Sequence, residues 1–373
     1  ESLAPFFYLN KRDRKNIYIF STEKEALEFY NNFSNFVPEA SHFPAWDTLS
    51  YDSFTPSLEI QGKRLQTLHN LLVMESFDIA MSMKSFTQKI FINDLDVIDM
   101  QIGQEVDFEN LIENLAFLKY VNKDRVESRG TFSIRGGQID IYPLNSEYPV
   151  RIIFNGDEVV ELKLFDYITQ RSIKNIKKVL ITPSSELFQT NQEDIYKSLE
   201  IESKKDLDEY ELFQFSQNLE NFKSLLDFVP DDISINIIDF NSCKEVFSEL
   251  QKIEDDSFNN LQKFFSLNVS KMKSRYVDTL KEINKFETIF YATNDLENIS
   301  NVPQFLDGLS ADNVLQKINN LAKVYLSSSN EKITEKFSGI TNLQIAEHPF
   351  SYSAVFPEMS IAVIDESLFT NRK

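Results

Sequence analysis

The chain has 373 residues, with 38 basic and 58 acidic side chains for a formal net charge of −20, and 42% of its residues are apolar. That length predicts two to four domains, and the acidic balance excludes a protein whose whole surface grips DNA or anionic lipid, because phosphate binding needs clustered Lys and Arg. One cysteine, Cys243, excludes an intramolecular disulfide framework.

Asn16–Phe20 is a short apolar run suited to a buried strand. Thr22 and Glu25 follow at capping-box spacing and open a helix carrying Ala26, Leu27, Phe29, Tyr30 and Phe33. Leu58–Leu72 is a second helix and Phe77–Met81 a second buried strand, so this first segment predicts a parallel sheet. From Arg129 to Leu180 the pattern changes to short β-rich runs: Thr131–Ile134, Gln138–Tyr142, Val150–Phe154 and Val159–Phe165. Arg135-Gly136-Gly137 and Asn155-Gly156 separate them, and Asn-Gly predicts a type I′ turn centred on those two residues. This region is an antiparallel meander. Helices return at Leu187–Leu199 and Glu209–Phe228, with strands at Ile233–Phe240 and Ile289–Ala292. Thr293–Pro303 is polar and ends in proline, which suits a linker. Beyond it a helix at Ala311–Lys323, a strand at Val324–Ser327, a helix at Glu331–Phe337 and a strand at Ile361–Ile364 form a small α/β unit.

Chemistry is harder to find. His42, His69, His348 and Cys243 are scattered without ligand spacing, so no zinc site is expected. The eight glycines include none before Gly62, and no Gly-Lys-Ser/Thr triplet occurs. A phosphate loop needs glycines so that its backbone N–H groups can fold around the anion, so no nucleotide, and no other cofactor, is expected. Ile361–Ile364 followed by Asp365-Glu366 imitates a magnesium-holding helicase strand and is read as a buried strand with a polar end. Glu254-Asp255-Asp256 and Asp157-Glu158 are read as solvated turns. The aromatic cluster Phe43, Trp46, Tyr51 and Phe54 is either a base-stacking platform or packing under a loop, and the scarcity of nearby cations beyond Lys63 and Arg64 favours packing. No segment approaches 18 uninterrupted apolar residues, and the first residues lack a signal-peptide pattern. No membrane association and a cytoplasmic location are the expectations.

One feature stands apart. Residues 123–178 hold ten basic and eight acidic side chains, a net +2 within a chain of −20. Arg135 sits at a hairpin tip and Arg151 opens the next strand but one. Such arginines either serve as bidentate anchors for a partner's carboxylates or pair with neighbouring acids on the surface. Composition leaves both open.

Arg129-Gly130-Thr131-Phe132-Ser133-Ile134-Arg135-Gly136-Gly137-Gln138-Ile139-Asp140-Ile141-Tyr142-Pro143 resembles a stretch shared by the excision-repair protein UvrB and the transcription-repair coupling factors. Pro149–Phe154, Asp157-Glu158, Phe165-Asp166 and Thr169–Ser172 continue it, and Phe43–Pro56 is similar to the coupling factors in particular. The resemblance is densest over residues 40–185 and collinear to the end of the chain. It implies an α/β multidomain fold. A degenerate helicase-like (RecA-like) α/β domain (1–96 and 183–297) is interrupted by an inserted antiparallel-β α+β domain (97–182) and followed by a small α/β domain (298–373).

The resemblance also implies a non-catalytic adaptor that recruits UvrA in transcription-coupled excision repair. RNA polymerase and duplex DNA would be engaged by domains outside this chain, and a C-terminal domain of the longer protein would mask the UvrA-binding face. Arg135 and Arg151 match the family's UvrA contacts, with Phe154 and Asn155 completing the candidate surface. Asn155 stands where the family usually has an aromatic residue, and Ile153 where UvrB commonly has an acid. Replacing Arg135 and Arg151 together with Ala is expected to abolish UvrA capture without moving the melting temperature. The competing readings are a UvrB-like nucleotide hydrolase and direct DNA binding through the basic segment.

Overall fold

The fold is taken from a computed structural model of the chain. It describes residues 7, 15–49, 54–92, 94–199, 209–217, 219, 222–261, 274–291, 304–306, 311–319, 321, 323–346, 349–350, 353–356 and 361–370. The chain opens with β1 (Lys15–Phe20), the helix Glu23–Phe33, β2 (Ser41–Phe43), the helix Leu58–Val73 and β3 (Asp78–Ser82). It then forms β4 (Ile98–Gln101), the helix Phe108–Phe117 and six strands in succession: β5 (Val121–Asn122), β6 (Thr131–Ile134), β7 (Gln138–Ile141), β8 (Val150–Asn155), β9 (Glu158–Phe165) and β10 (Ser172–Ile176). β11 (Lys178–Ile181) follows, then the helices Gln192–Leu199 and Glu209–Ser216, β12 (Ile233–Ile238), the long helix Phe240–Leu261 and β13 (Glu287–Tyr291). The last unit contains β14 (Gln304–Phe305), β15 (Lys323–Ser327), β16 (Leu343–Ile345), β17 (Ala354–Phe356) and β18 (Ile361–Asp365).

The first sheet is parallel throughout, in the order β13-β12-β1-β3-β2. Its central strands bury nearly every side chain, as strands covered on both faces must, and Ile17, Ile19, Ile235 and Ile237 have no exposed surface. The predicted capping box is present: Glu25 N donates to Thr22 Oγ1 at 3.2 Å and Thr22 N donates to Glu25 Oε2 at 3.0 Å. Of the predicted helix face, Ala26, Phe29 and Phe33 are buried and Leu27 is exposed. The sheet is discontinuous in sequence, because β12 pairs with β1 only after residues 83–232 have intervened.

Within that interval β4 pairs antiparallel with β11, from Ile98 opposite Ile181 to Gln101 opposite Lys178. This two-stranded clasp holds together the entry and exit of everything between. Between them lies a sheet in the order β10-β9-β8-β7-β6-β5, antiparallel except that β5 runs parallel to β6. One face carries Phe132, Ile139, Ile141, Val150, Ile152 and Leu162 into the same hydrophobic core as Leu111 and Leu115 of the helix Phe108–Phe117. A third sheet, β14-β17-β18-β15-β16, has its own core around Val324, Leu326, Ile333, Phe337 and Ile364. It meets the first sheet's outer cluster through Tyr325, whose ring lies 4.7 Å from that of Phe36. The chain is therefore a mixed α/β protein with several parallel and antiparallel sheets.

Several elements differ from their sequence expectation. Helix Gln192–Leu199 starts later than Leu187, and among the described residues of 209–228 the helical ones are Glu209–Ser216 and a short 3-10 turn at Leu225–Asp227. Glu254 is not in a solvated turn. It lies in the helix Phe240–Leu261, continuing the buried spacing Cys243, Phe247, Leu250, and accepts the backbone N–H of Arg275 at 2.7 Å and the Ser274 hydroxyl. The β8–β9 turn is centred one residue later than Asn155-Gly156: Asn155 is still paired, opposite Glu158, and of the two only Gly156 takes a positive φ. The suggested linker at 293–303 lies outside the described residues.

Two contacts seat the inserted sheet on the α/β body. Gly62 has no side chain because none fits: a Cβ there would lie 2.2 Å from the carbonyl oxygen of Leu144. Beside it, Asn145 Nδ2 donates to Gln66 Oε1 at 2.7 Å and to Leu180 O at 3.1 Å. Two residues along the same helix, Arg64 Nε donates to Glu186 at 2.8 Å with both side chains essentially sealed from solvent. Gly62→Ala is expected to cost about 1–3 kcal/mol in urea denaturation, because backbone must move to admit the methyl. Gly339→Ala, which meets nothing within 4 Å, serves as the neutral comparison. Arg64→Met is expected to cost about 3–5 kcal/mol by leaving Glu186 buried and unpaired, and Glu186→Gln in the same chain should recover part of that.

Candidate partner-binding surface

The candidate surface is the face of the inserted sheet that does not pack on the helix Phe108–Phe117. Its local folding begins at Gly136 and Gly137. Arg135 and Gln138 exchange both backbone hydrogen bonds, at 2.9 and 3.2 Å, and Gly136 takes φ +60°, which favours glycine. Gly137 allows a close approach, since a Cβ there would lie 3.2 Å from Phe154 O while Phe154 N donates to Gly137 O at 2.8 Å. The hairpin tip is thereby pinned to β8.

Register then sets the rows. Ser133 stands opposite Asp140, Asp140 opposite Arg151, and Arg151 opposite Lys163, so these four side chains share one face across β6 to β9. The neighbouring row on that face is Arg135, Gln138, Ile153 and Glu161. Arg135 and Arg151 therefore lie on the same side of the sheet.

Their environments differ. Arg151 is held in a bidentate pair, Nε to Asp140 Oδ1 and Nη2 to Asp140 Oδ2, both at 2.8 Å. Its guanidinium carbon sits 4.6 Å from the centre of the Phe165 ring. Asp140 is 3% exposed and Arg151 18%, so the carboxylate is sealed beneath a partly exposed arginine. The hydrogen bond to Asp140 raises the Arg151 pKa above its ordinary value, burial opposing it, which keeps the group charged at any working pH. Asp140 takes two of the five guanidinium N–H groups, leaving three. Of the two sequence alternatives, the pairing with a neighbouring acid is present for Arg151, and that pairing also fixes the direction of its guanidinium. Arg135 is exposed and Nη2 donates to Asp124 O at 2.8 Å, a carbonyl that also accepts from Ser133 Oγ at 3.1 Å.

Phe154 does not belong to this face. It is 8% exposed on the opposite side, with its ring edge-on to Phe108 at 5.2 Å, and it packs the inserted domain's core. Asn155 is exposed at the end of β8. Sequence reasoning missed Asp140, although an acid alternating with Ile139 and Ile141 in mid-strand, opposite an arginine doing the same, is a readable signal. It also missed Phe165, the buried ring beneath Arg151, and the contact between Lys163 and Glu161.

Other sequence candidates land elsewhere. Phe43 and Trp46 are fully buried, which removes them from any base-stacking platform, Phe54 is exposed, and Tyr51 lies outside the described residues. Cys243 is buried, Sγ facing Ile238 O at 3.4 Å, and burial pushes its thiol up to about 12. Where a phosphate loop would follow β1, the helix N-terminus is taken by its own carboxylates. Glu25 caps Thr22, and Glu23 accepts from Ala45 N at 3.2 Å and pairs with His42 at 3.1 Å. An anion docking at this N-terminus would meet two negative charges. Among the described residues no group of three or more His, Cys, Asp or Glu side chains is placed to hold a metal ion, and no helix is long and apolar enough to cross a membrane.

Residues 98–187 match the family model of the UvrB interaction domain, a span that starts at β4 and ends just past β11. The chain is similar to curated proteins named transcription-repair-coupling factor. It is 29% identical to that of Escherichia coli (strain K12) over 168 residues, which is 44% of this chain and 14% of that protein. It is 31% identical to that of Mycobacterium bovis over 142 residues (36% and 12%) and 25% identical to that of Staphylococcus aureus (strain MRSA252) over 268 residues (63% and 22%). The matched stretches span less than a quarter of the relatives' own length.

Because Asp140 is nearly sealed, Arg151→Ala is expected to lower stability by about 1–3 kcal/mol, since the carboxylate loses its cation and keeps the Gln138 Nε2 donor at 2.9 Å. The sequence expectation that both arginines can be removed without moving the melting temperature is revised accordingly. A double-mutant cycle with Asp140→Ala, read by urea denaturation, should show a positive coupling of about 0.5–3 kcal/mol.

Proposed function

We propose that this chain is a UvrB-like module of the transcription-repair coupling type, acting as a non-catalytic adaptor that docks UvrA. In this reading the insert spans roughly 97–182, the first sheet is a helicase-like (RecA-like) domain that no longer holds a nucleotide, and residues 298–373 are a separate unit. RNA polymerase and duplex DNA are partners of the longer proteins that it is similar to.

The observation that carries the reading is the shared face of Arg135 and Arg151 within the segment matching the UvrB interaction domain. Two guanidinium groups on one rigid sheet suit acidic groups of a partner, since arginine is the side chain best shaped for bidentate carboxylate recognition. Asn155 flanks them at the strand end. Phe154 supports the face from behind, so its contribution is to position rather than touch. The two carboxylates at the first helix N-terminus, and the absence of a phosphate-loop sequence, weigh against the nucleotide-hydrolase reading.

The cleanest test uses Arg135, whose removal orphans no buried acid. Arg135→Ala is expected to weaken capture of this chain by immobilised UvrA at least about 10-fold, the usual scale of an arginine hot spot, with an unchanged urea midpoint. Wild-type capture by that variant would remove the arginine face from the proposal.

A further inference from the structure

A second site lies outside the arginine face. Between the inserted sheet and the stretch Ser184–Thr190, with Leu212 and Phe213 closing one side, is a cleft of about 440 Å³. None of Arg135, Arg151, Phe154 or Asn155 lines it. Its charged lining is Lys119, Lys123 and Arg129, with no carboxylate, although acids outnumber bases 58 to 38 in the chain.

The cations are presented, not spent. Lys119 and Lys123 are exposed, and among the described residues neither side chain has a hydrogen-bond or ion-pair partner. Lys119 takes φ +66°, the left-handed conformation that ends the preceding helix and that glycine usually fills. Arg129 is oriented by Ser146 O at 3.0 Å and by the Tyr142 ring, 5.3 Å from its guanidinium carbon.

The mouth is apolar as well as basic. Phe117 is 57% exposed and Val121 52%, so the exposed side chains Phe117, Lys119, Val121 and Lys123 alternate apolar and basic along the rim. Phe117 also meets Phe188 of the cleft edge-on, with ring centres 6.1 Å apart. Exposed apolar side chains gathered at one pocket mark protein contact more than small-ion binding. An isolated phosphate would use the lysines and leave the apolar rim idle.

We propose that this cleft binds an acidic peptide segment of a partner protein, its carboxylates on Lys119 and Lys123 and an aromatic or branched side chain in the cleft. The site is independent of the UvrA reading. Fluorescence anisotropy with the full 373-residue chain tests it, using a short fluorescein-labelled peptide that alternates Asp with Phe and Leu. Saturable binding is expected, weakened at least about 10-fold in Lys119→Glu/Lys123→Glu and kept within about 3-fold in Lys119→Arg/Lys123→Arg, because rim charges steer association. Arg135→Ala should bind the peptide like wild type, which separates this site from the arginine face. Unchanged affinity in the Glu double variant would overturn the proposal. So would equal binding of a peptide alternating Asp with Ser, or displacement by inorganic phosphate at constant ionic strength, which would mark a small-anion site.

Discussion

The structure depends on one buried ion pair. Arg64 and Glu186 are both removed from water, and several groups around them offset that cost. Arg64 donates to the Glu186 carboxylate at 2.8 and 3.1 Å and to Pro44 O at 2.9 Å, and its guanidinium lies 4.2 Å from the Phe43 ring centre. Trp46 Nε1 donates to the same carboxylate at 2.8 Å, and Glu186 N donates to Gln61 Oε1 at 3.0 Å. Burial pushes the Glu186 carboxyl up, while the Arg64 charge and the Trp46 and Arg64 hydrogen bonds pull it back. Such a pair adds little net stability relative to apolar packing but punishes any arrangement that separates its members. It therefore selects a geometry.

What it selects is the seat of the insert. Glu186 follows β11, where the chain leaves the clasp, and Arg64 belongs to the helix Leu58–Val73 of the α/β body. Gly62, two residues earlier, lets the Leu144 carbonyl touch that helix. Pair and glycine act on one helix from two points, Glu186 just past the insert's exit and the insert's own Leu144–Asn145 loop. Two fixed points restrict rotation where one would leave a hinge. The polar face of the sheet is thus held at a set angle to the α/β body, and the cleft edged by Lys119 and Lys123 takes its shape from the same seating, because its far wall is Ser184–Thr190.

Local signals were legible and distant ones were not. Thr22 with Glu25, the four runs between Thr131 and Phe165, and the strand Lys15–Phe20 all follow from spacing within a few residues. The Arg64–Glu186 pair joins positions 122 apart, and nothing near Arg64 marks it as buried. Gly62 likewise has its reason in another segment. The helix Phe240–Leu261 was obscured by three consecutive acids, although Glu254 falls at the next buried position after Leu250. Phe154 is different, because strand alternation alone puts it opposite to Arg151. Resemblance placed it on the binding face, and period-two geometry removes it.

The two arginines differ in how much order they already possess. Arg151 has its guanidinium plane fixed by two bonds to Asp140 and by the Phe165 ring below, so engaging a partner carboxylate costs it little further side-chain entropy. That advantage has a counterpart: Asp140 already satisfies part of its charge, so a second carboxylate gains less Coulomb energy than at an unpaired cation. Arg135 is the reverse, exposed and held by one carbonyl, with its full charge available and more freedom to lose. On one rigid face these profiles are complementary. Arg151 supplies direction, Arg135 supplies attraction over distance, and backbone register sets the two strand positions from which they extend.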